Sequence, residues 1–191
     1  REAAGGRALV AGDLTTTGVP LEPAGTMTYH ELFEIYTEQI TALAKAGADL
    51  LVVETMLGID EMTVALEAAQ SVCALPVQAD GSGYFGGTCV EAVETLQELG
   101  AAAVGINCST GPDQLESLVR NMRQAAKVPL LVKPNAGMPE ISPEGEAIYS
   151  MGPEAFAQHM RTLIDAGAAL VGGCCGTNPR YISALRDVLP R

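Results

Sequence analysis

The chain has 191 residues, a length that suits one domain, and its 23 acidic against 11 basic residues leave a formal charge of −12. That balance argues against a nucleic-acid partner, whose phosphates need clustered Lys and Arg, and 48% hydrophobic with 18% charged residues excludes a disordered chain. No apolar run approaches the ~18–20 residues of a membrane span, and five cysteines, two of them adjacent, do not make a secreted disulfide framework. The expectation is a soluble, cytoplasmic globular domain with no membrane partner, its thiol or metal chemistry left open.

Taken in chain order, short β-rich apolar runs alternate with stretches of helical period. Leu9-Val10-Ala11 ends in Gly12-Asp13, Asp49 to Val53 in Glu54-Thr55, and Pro76 to Ala79 in Asp80-Gly81. Ala102 to Ile106 ends in Asn107-Cys108, Pro129 to Lys133 in Pro134-Asn135, and Ala169 to Val171 in Gly172-Gly173-Cys174-Cys175. Runs without polar alternation suit strands buried on both faces, as in a parallel sheet covered by helices.

Between them, Thr28 is the expected N-cap of a helix, with Glu31 three residues on and Leu32, Ile35, Tyr36 and Leu43 at helical spacing. Asp113 to Ala126 and Pro153 to Ala166 show the same period, and Thr177-Asn178-Pro179 opens the last helix. Gly47, Gly100 and Gly167 each stand just past a helix and before a strand, where a left-handed cap turns the chain back. This grammar spells a parallel α/β architecture of six strand–helix units. A closed (β/α)₈ barrel wants eight units, whereas an open doubly wound sheet accommodates six, so periodicity leaves both in play. The opening Arg1 to Gly6 reads like the tail of a helix, which suggests a fragment.

The sharpest chemistry lies at Gly172 to Thr177. Neighbouring strand residues point to opposite faces, so Cys174 and Cys175 can serve one site only across a backbone break, which the flanking glycines permit. Cys108 ends another strand and should open onto the same face. Three thiolates there could hold Zn²⁺ and leave a fourth position open. The plain alternative is three small buried core residues. Cys73 and Cys89 fall near a helix end and a helix start, and His30 and His159 on helical stretches, where packing or solvated roles suffice. Glu54 could receive a substrate ammonium or cap the following helix. Asn135 could donate or accept in the same mouth, or mark only a turn.

Gly105 to Ser109 (Gly-Ile-Asn-Cys-Ser), Pro134 to Gly137 (Pro-Asn-Ala-Gly) and Gly172 to Thr177 (Gly-Gly-Cys-Cys-Gly-Thr) together resemble the homocysteine S-methyltransferase family. They are most similar to the homocysteine-binding domain of cobalamin-dependent methionine synthases, in order and over nearly the whole chain. Gly12 to Gly18 is similar to the family's third-strand loop, with Thr15-Thr16 where Gly-Pro is usual, and the loop after Ala79 reads as shorter than usual. The resemblance implies Cys108, Cys174 and Cys175 as zinc ligands, Glu54 as the acid that holds the substrate amino group, and Asn135 beside the metal when substrate is absent. It implies a (β/α)₈ barrel, held here as an incomplete barrel of strands 3–8 in one N-terminally truncated domain over residues 1–191. The first two strands, which help to complete the substrate pocket, are absent. Two open barrel edges then favour self-association, or reliance on an N-terminal segment.

The chemistry implied is zinc-dependent transfer of a methyl group to the homocysteine thiolate, giving methionine. A free thiol is only a few per cent ionised at neutral pH, and Zn²⁺ deprotonates it. Three thiolate ligands keep the centre negative and so preserve the nucleophilicity of the substrate sulfur. The donor stays open among methylcobalamin, a methylated amino acid and a sulfonium, and a corrinoid or folate module would have to be supplied from elsewhere. Two other classes stand beside this one. A structural zinc domain or pseudoenzyme would ordinarily supply four protein ligands, and a thiol–disulfide enzyme a Cys-x-x-Cys pair.

Overall fold

The computed structural model of the chain describes residues 1–85 and 88–190, with the backbone alone described for Leu57 and residues 80–85. It divides into two compact units, Arg1–Val104 and Gly105–Arg191. Each is an α/β unit with parallel pairing in its main sheet, and the second adds an antiparallel hairpin.

In the first unit β1 (Ala11–Leu14), β2 (Leu50–Gly58) and β3 (Val77–Phe85) lie in that order. β1 pairs with β2 from Ala11↔Leu50 to Leu14↔Val53, and β2 with β3 from Leu51↔Val77. Leu14, Leu51, Val53 and Ala79 are fully buried, as expected of strands covered on both faces. α1 (Tyr29–Lys45) opens on Thr28 in the expected capping box with Glu31. It buries Leu32, Tyr36 and Ile40, whereas Ile35 is exposed. Each such burial contributes about 1.5–3 kcal/mol. α2 (Ile59–Val72) and α3 (Cys89–Glu98) complete the unit, and β4 (Ala103–Cys108) carries the chain into the second. Gly47 and Gly100 both have φ near +89°, the left-handed exit that their spacing predicts.

One buried acid holds the segment after β1. Glu61, 6% exposed, accepts from Thr16 Oγ1 at 2.8 Å, the Thr17 amide at 3.0 Å and the Tyr36 hydroxyl at 2.9 Å. Burial and the adjacent Glu61 charge push the Tyr36 phenol far above its ordinary value, so it remains a donor.

In the second unit the order is β4, β5 (Leu130–Pro134), β8 (Leu170–Val171), with β5 and β8 paired in parallel through Leu131↔Leu170. Gly105 lets β4 approach β5, because a Cβ there would meet the Leu131 carbonyl oxygen at 2.0 Å. A 3-10 turn, Pro112–Gln114, precedes α4 (Glu116–Ala125). α5 (Pro153–Asp165) and α6 (Pro179–Asp187) pack edge to face through Phe156 and Tyr181, with ring centroids 5.5 Å apart. Asn178 caps α6 by accepting from the Arg180 amide, with Pro179 in the first turn.

Three strand boundaries and one added hairpin depart from the sequence reading. The first strand lies at Ala11–Leu14, not Leu9–Ala11; Leu9 is largely exposed, and the buried residues are Gly12 and Leu14. β2 continues past Glu54 to Gly58, and β3 past Ala79 to Phe85, because the pair resumes after a register shift between Val53 and Met56. Gly86 and Gly87, part of the loop read as shortened, lie outside the described residues. An antiparallel hairpin, β6 (Pro139–Ile141) with β7 (Ala147–Tyr149), stands where no element is expected. No helix among the described residues is long and apolar enough to cross a membrane.

Candidate metal centre

Cys108 is the last residue of β4, and the chain leaves the strand through an uncommon turn. Cys108 has φ 55° and Ser109 φ 63°, two successive left-handed residues without glycine. That conformation costs roughly 1–2 kcal/mol per residue. It is held by the Thr110 amide donating to the Cys108 carbonyl at 2.7 Å and the Asn135 amide donating to the Thr110 carbonyl at 3.0 Å. Strained backbone that its surroundings over-determine is a mark of functional sites.

The segment after β8 is tied to the exit of β5. The Cys174 amide donates to the Pro134 carbonyl at 2.9 Å, and the Ala136 amide to the Cys175 carbonyl at 2.9 Å. The Thr177 amide and hydroxyl both donate to the Cys174 carbonyl, at 3.1 and 2.7 Å. The glycine frame has a steric reason. A Cβ on Gly173 would lie 2.6 Å from the Thr177 side chain, and one on Gly176, where φ is +78°, 2.3 Å from Tyr149 Cγ. The backbone therefore turns between the cysteines and α6 as no other residue type allows.

The three sulfurs of Cys108, Cys174 and Cys175 all lie within 4.8 Å of one another, and Cys108 Sγ is 3.7 Å from Cys175 Sγ. Two thiolates each about 2.3 Å from a tetrahedral Zn²⁺ stand about 3.8 Å apart, so the donor set fits that ion in spacing and chemistry. Cys108 and Cys174 are half-buried and Cys175 is exposed. Burial, then the neighbouring Cys108 and Cys175 charges, push the Cys174 thiol up to about 12. A cation held among the three sulfurs would offset those charges and favour the Cys174 thiolate.

The other expected residues fall as follows. Asn135 is 4% exposed, and its Oδ1 accepts from the Cys175 amide at 3.1 Å, so it orients the second cysteine through the backbone. Glu54 lies in the first unit, inside β2 rather than at its exit, beside Thr55, whose φ is 56°. A β-branched residue in that region is a true outlier. It accompanies the register shift, so the ladder breaks where the resemblance places a substrate contact. Cys73 caps the C-terminus of α2 and Cys89 begins α3. His30 and His159 lie exposed on α1 and α5.

Sequence reasoning missed Tyr149 and Glu61. The hairpin carrying Tyr149 has a turn signal in Ser142 to Gly145, where the Gly145 amide donates to the Ser142 carbonyl at 2.9 Å. Glu61 has no signal beyond its place in the first turn of α2.

A parallel α/β chain that gathers three thiols at its strand ends carries a donor set that could hold a metal, at the end of the sheet where folds of this kind place their sites. Residues 1–189 match the homocysteine S-methyltransferase family, and the chain belongs to it. It is 28% identical to the methionine synthase of Mycobacterium leprae over 186 residues, 91% of this chain and 15% of that protein. It is 29% identical to the methionine synthase of Mycobacterium tuberculosis over 177 residues, 86% of this chain and 15% of that protein. The chain thus spans about 15% of the length of the curated relatives it matches. The crystal structure of the homocysteine methyltransferase MmuM from Escherichia coli, in its apo form, superposes with a TM-score of 0.76. That match has 24% identity and covers 95% of this chain and 63% of that one. The likeness shows the fold: six strand–helix units of the barrel type, where periodicity alone left an open sheet equally in play.

Proposed function

We propose that the domain transfers a methyl group to the thiolate of homocysteine, giving methionine, with Zn²⁺ as its cofactor. The observation that carries the reading is the convergence of Cys108, Cys174 and Cys175 within 4.8 Å in a member of this family. A zinc ion held by these three sulfurs would supply Lewis acidity that keeps the substrate thiol ionised, its fourth position open to that thiol. Cys175, the exposed member, faces the incoming ligand, and Asn135 fixes it through its amide. Glu54 receives the substrate ammonium through a charge-assisted hydrogen bond. In the transfer, the homocysteine sulfur attacks the methyl carbon and the electron pair of the broken bond leaves with the donor.

The methyl donor in this reading is methylcobalamin presented by a corrinoid module, with a folate module to recharge it; the methionine synthase relatives support that choice. The setting is cytoplasmic, where thiols stay reduced. Among the described residues β1 pairs only with β2, and β8 only with β5. We assign self-association to these free strand edges.

Zinc-edge X-ray absorption tests the reading. Three sulfur ligands and one light atom should become four sulfurs when homocysteine is added. A protein that takes up no zinc, or whose zinc ignores saturating homocysteine, overturns it.

A further inference from the structure

We propose that Thr55 is a positioning residue for Glu54: as the extra, left-handed residue of a bulge in β2, it draws Met56 under α1 and keeps the opposite face of the sheet open around the Glu54 carboxylate. The inference rests on the reading of Glu54 as the acceptor of the substrate ammonium, and names the device that prepares it.

The two faces of the first unit's sheet can be told apart residue by residue. Parallel partners share a face, so Gly12, Leu51 and Val77 lie on one side, and Leu14, Val53 and Ala79 follow on the same side. A Cβ on Gly12 would meet the Leu43 side chain of α1 at 3.1 Å, so α1 covers that side. Asp13, Val52 and Gln78 take the other side, with Asp13 exposed and Gln78 half-buried. Glu54 follows Val53 in the strand and so belongs to this second, more polar side.

Regular alternation would carry Thr55 back under α1 and set Met56 next along the open face from Glu54. The structure does the reverse. From Val53↔Ala79 to Met56↔Gly81, β2 advances by one residue more than β3, which makes a bulge. Met56 therefore comes out on the side of Val53. It is 1% exposed, and its sulfur accepts from the Tyr36 hydroxyl of α1 at 3.4 Å. Thr55, with φ 56°, absorbs the extra step. Left-handed backbone is unfavourable for a β-branched residue and persists only where its surroundings impose it. Here Met56, anchored beneath α1, imposes it.

The consequence is chemical. A methionine next to Glu54 on the open face would lay an apolar chain over the carboxylate, raising the cost of its charge and filling the space that an ammonium needs. With Met56 withdrawn, Glu54 stays half-buried and open to an amino group, to which it can make a charge-assisted hydrogen bond. Bulges beside sites re-aim side chains in this way.

The test measures selectivity for an amino group in the whole chain supplied with zinc. Homocysteine is compared with 4-mercaptobutanoate, the same thiol acid without its amino group. Glu54→Gln sets the reference, a loss of about tenfold or more for homocysteine and none for the analogue. Deleting Thr55 restores regular alternation and should cause the same selective loss, with zinc content and analogue affinity unchanged. Thr55→Gly keeps the left-handed step, so its selectivity should survive. It should also unfold at higher urea than Thr55→Ala, the reverse of their order at an ordinary strand position. A folded deletion variant that keeps its selectivity, or that loses both ligands equally, would overturn the proposal while the Glu54 reading stands. So would loss of selectivity in Thr55→Gly, or an alanine variant more stable than the glycine one, and these two outcomes decide the matter if the deletion does not fold. An unaltered chain without selectivity, or a Glu54→Gln variant that retains it, removes the Glu54 reading and this inference together.

Discussion

Glu61 in the first unit is an acid drawn out of water, the three cysteines in the second are acids gathered at a half-open site, and the two are finished in opposite ways. Glu61 is met on both oxygens by Thr16, Thr17 and Tyr36, donors from two separate places in the chain. Its lone pairs are filled from within, and the result is a tie between the segment after β1, α1 and α2. The cysteines instead face one another, and the neighbouring charges raise the Cys174 thiol further beyond what burial does. The repulsion that ionisation would bring is avoided by holding a proton or by taking up a cation. A buried acid that the chain satisfies itself is architecture; thiols that the chain assembles without enough donors to ionise them are a receptor for a cation.

The contrast breaks most sharply at the receptor. Replacing Cys174 and Cys175 together with Ala should abolish stoichiometric zinc, a loss on the order of 10 kcal/mol of binding, with the fold retained by circular dichroism. Full occupancy in that variant would end the metal assignment. Glu61→Ala should do the reverse. Stranding the Thr16, Thr17 and Tyr36 donors should cost about 2–4 kcal/mol in urea unfolding, with zinc stoichiometry intact. A change under about 0.5 kcal/mol would show that the tie carries nothing.

Smaller effects sharpen the comparison further. Glu54→Gln should weaken homocysteine by about 1.5–3 kcal/mol in calorimetry and leave zinc content alone; unaltered affinity in a folded variant would return Glu54 to a local backbone role. The raised Cys174 thiol also has a sign. The metal-free site holds protons that the metal must displace, so zinc affinity should climb with pH by about tenfold per unit for each proton released. A flat profile between pH 6 and about 9 would mean the thiols are already ionised without metal. Cys73→Ala, at the end of α2, should leave the metal where it is.

What the sequence made legible follows from how locally each feature is encoded. The capping box at Thr28, Pro179 after Asn178, and the left-handed glycines at 47, 100 and 167 are set by a few neighbouring atoms, and all stand where their spacing puts them. The approach of the three sulfurs could be anticipated because strand ends in parallel α/β folds open to one side. The continuation of β2 past Glu54 could not, because Thr55 and the register shift depend on the neighbouring strand rather than on local pattern. The hairpin escaped for another reason: three-residue strands with exposed Ile141 and Ile148 give no burial pattern to read. Tyr149 was hidden with it, since its value lies in contacts made across the fold.

The two sulfurs that stand 3.7 Å apart come from positions 67 residues apart along the chain. Bringing the ends of such a stretch together costs an unfolded chain about 4 kcal/mol of closure entropy. Any ion that bridges Cys108 to the Cys174–Cys175 pair therefore acts as a clasp on nearly the whole of the second unit. The same three residues that would receive a substrate would set how far that unit resists unravelling, and stripping a bound ion should loosen the span between Cys108 and Cys175.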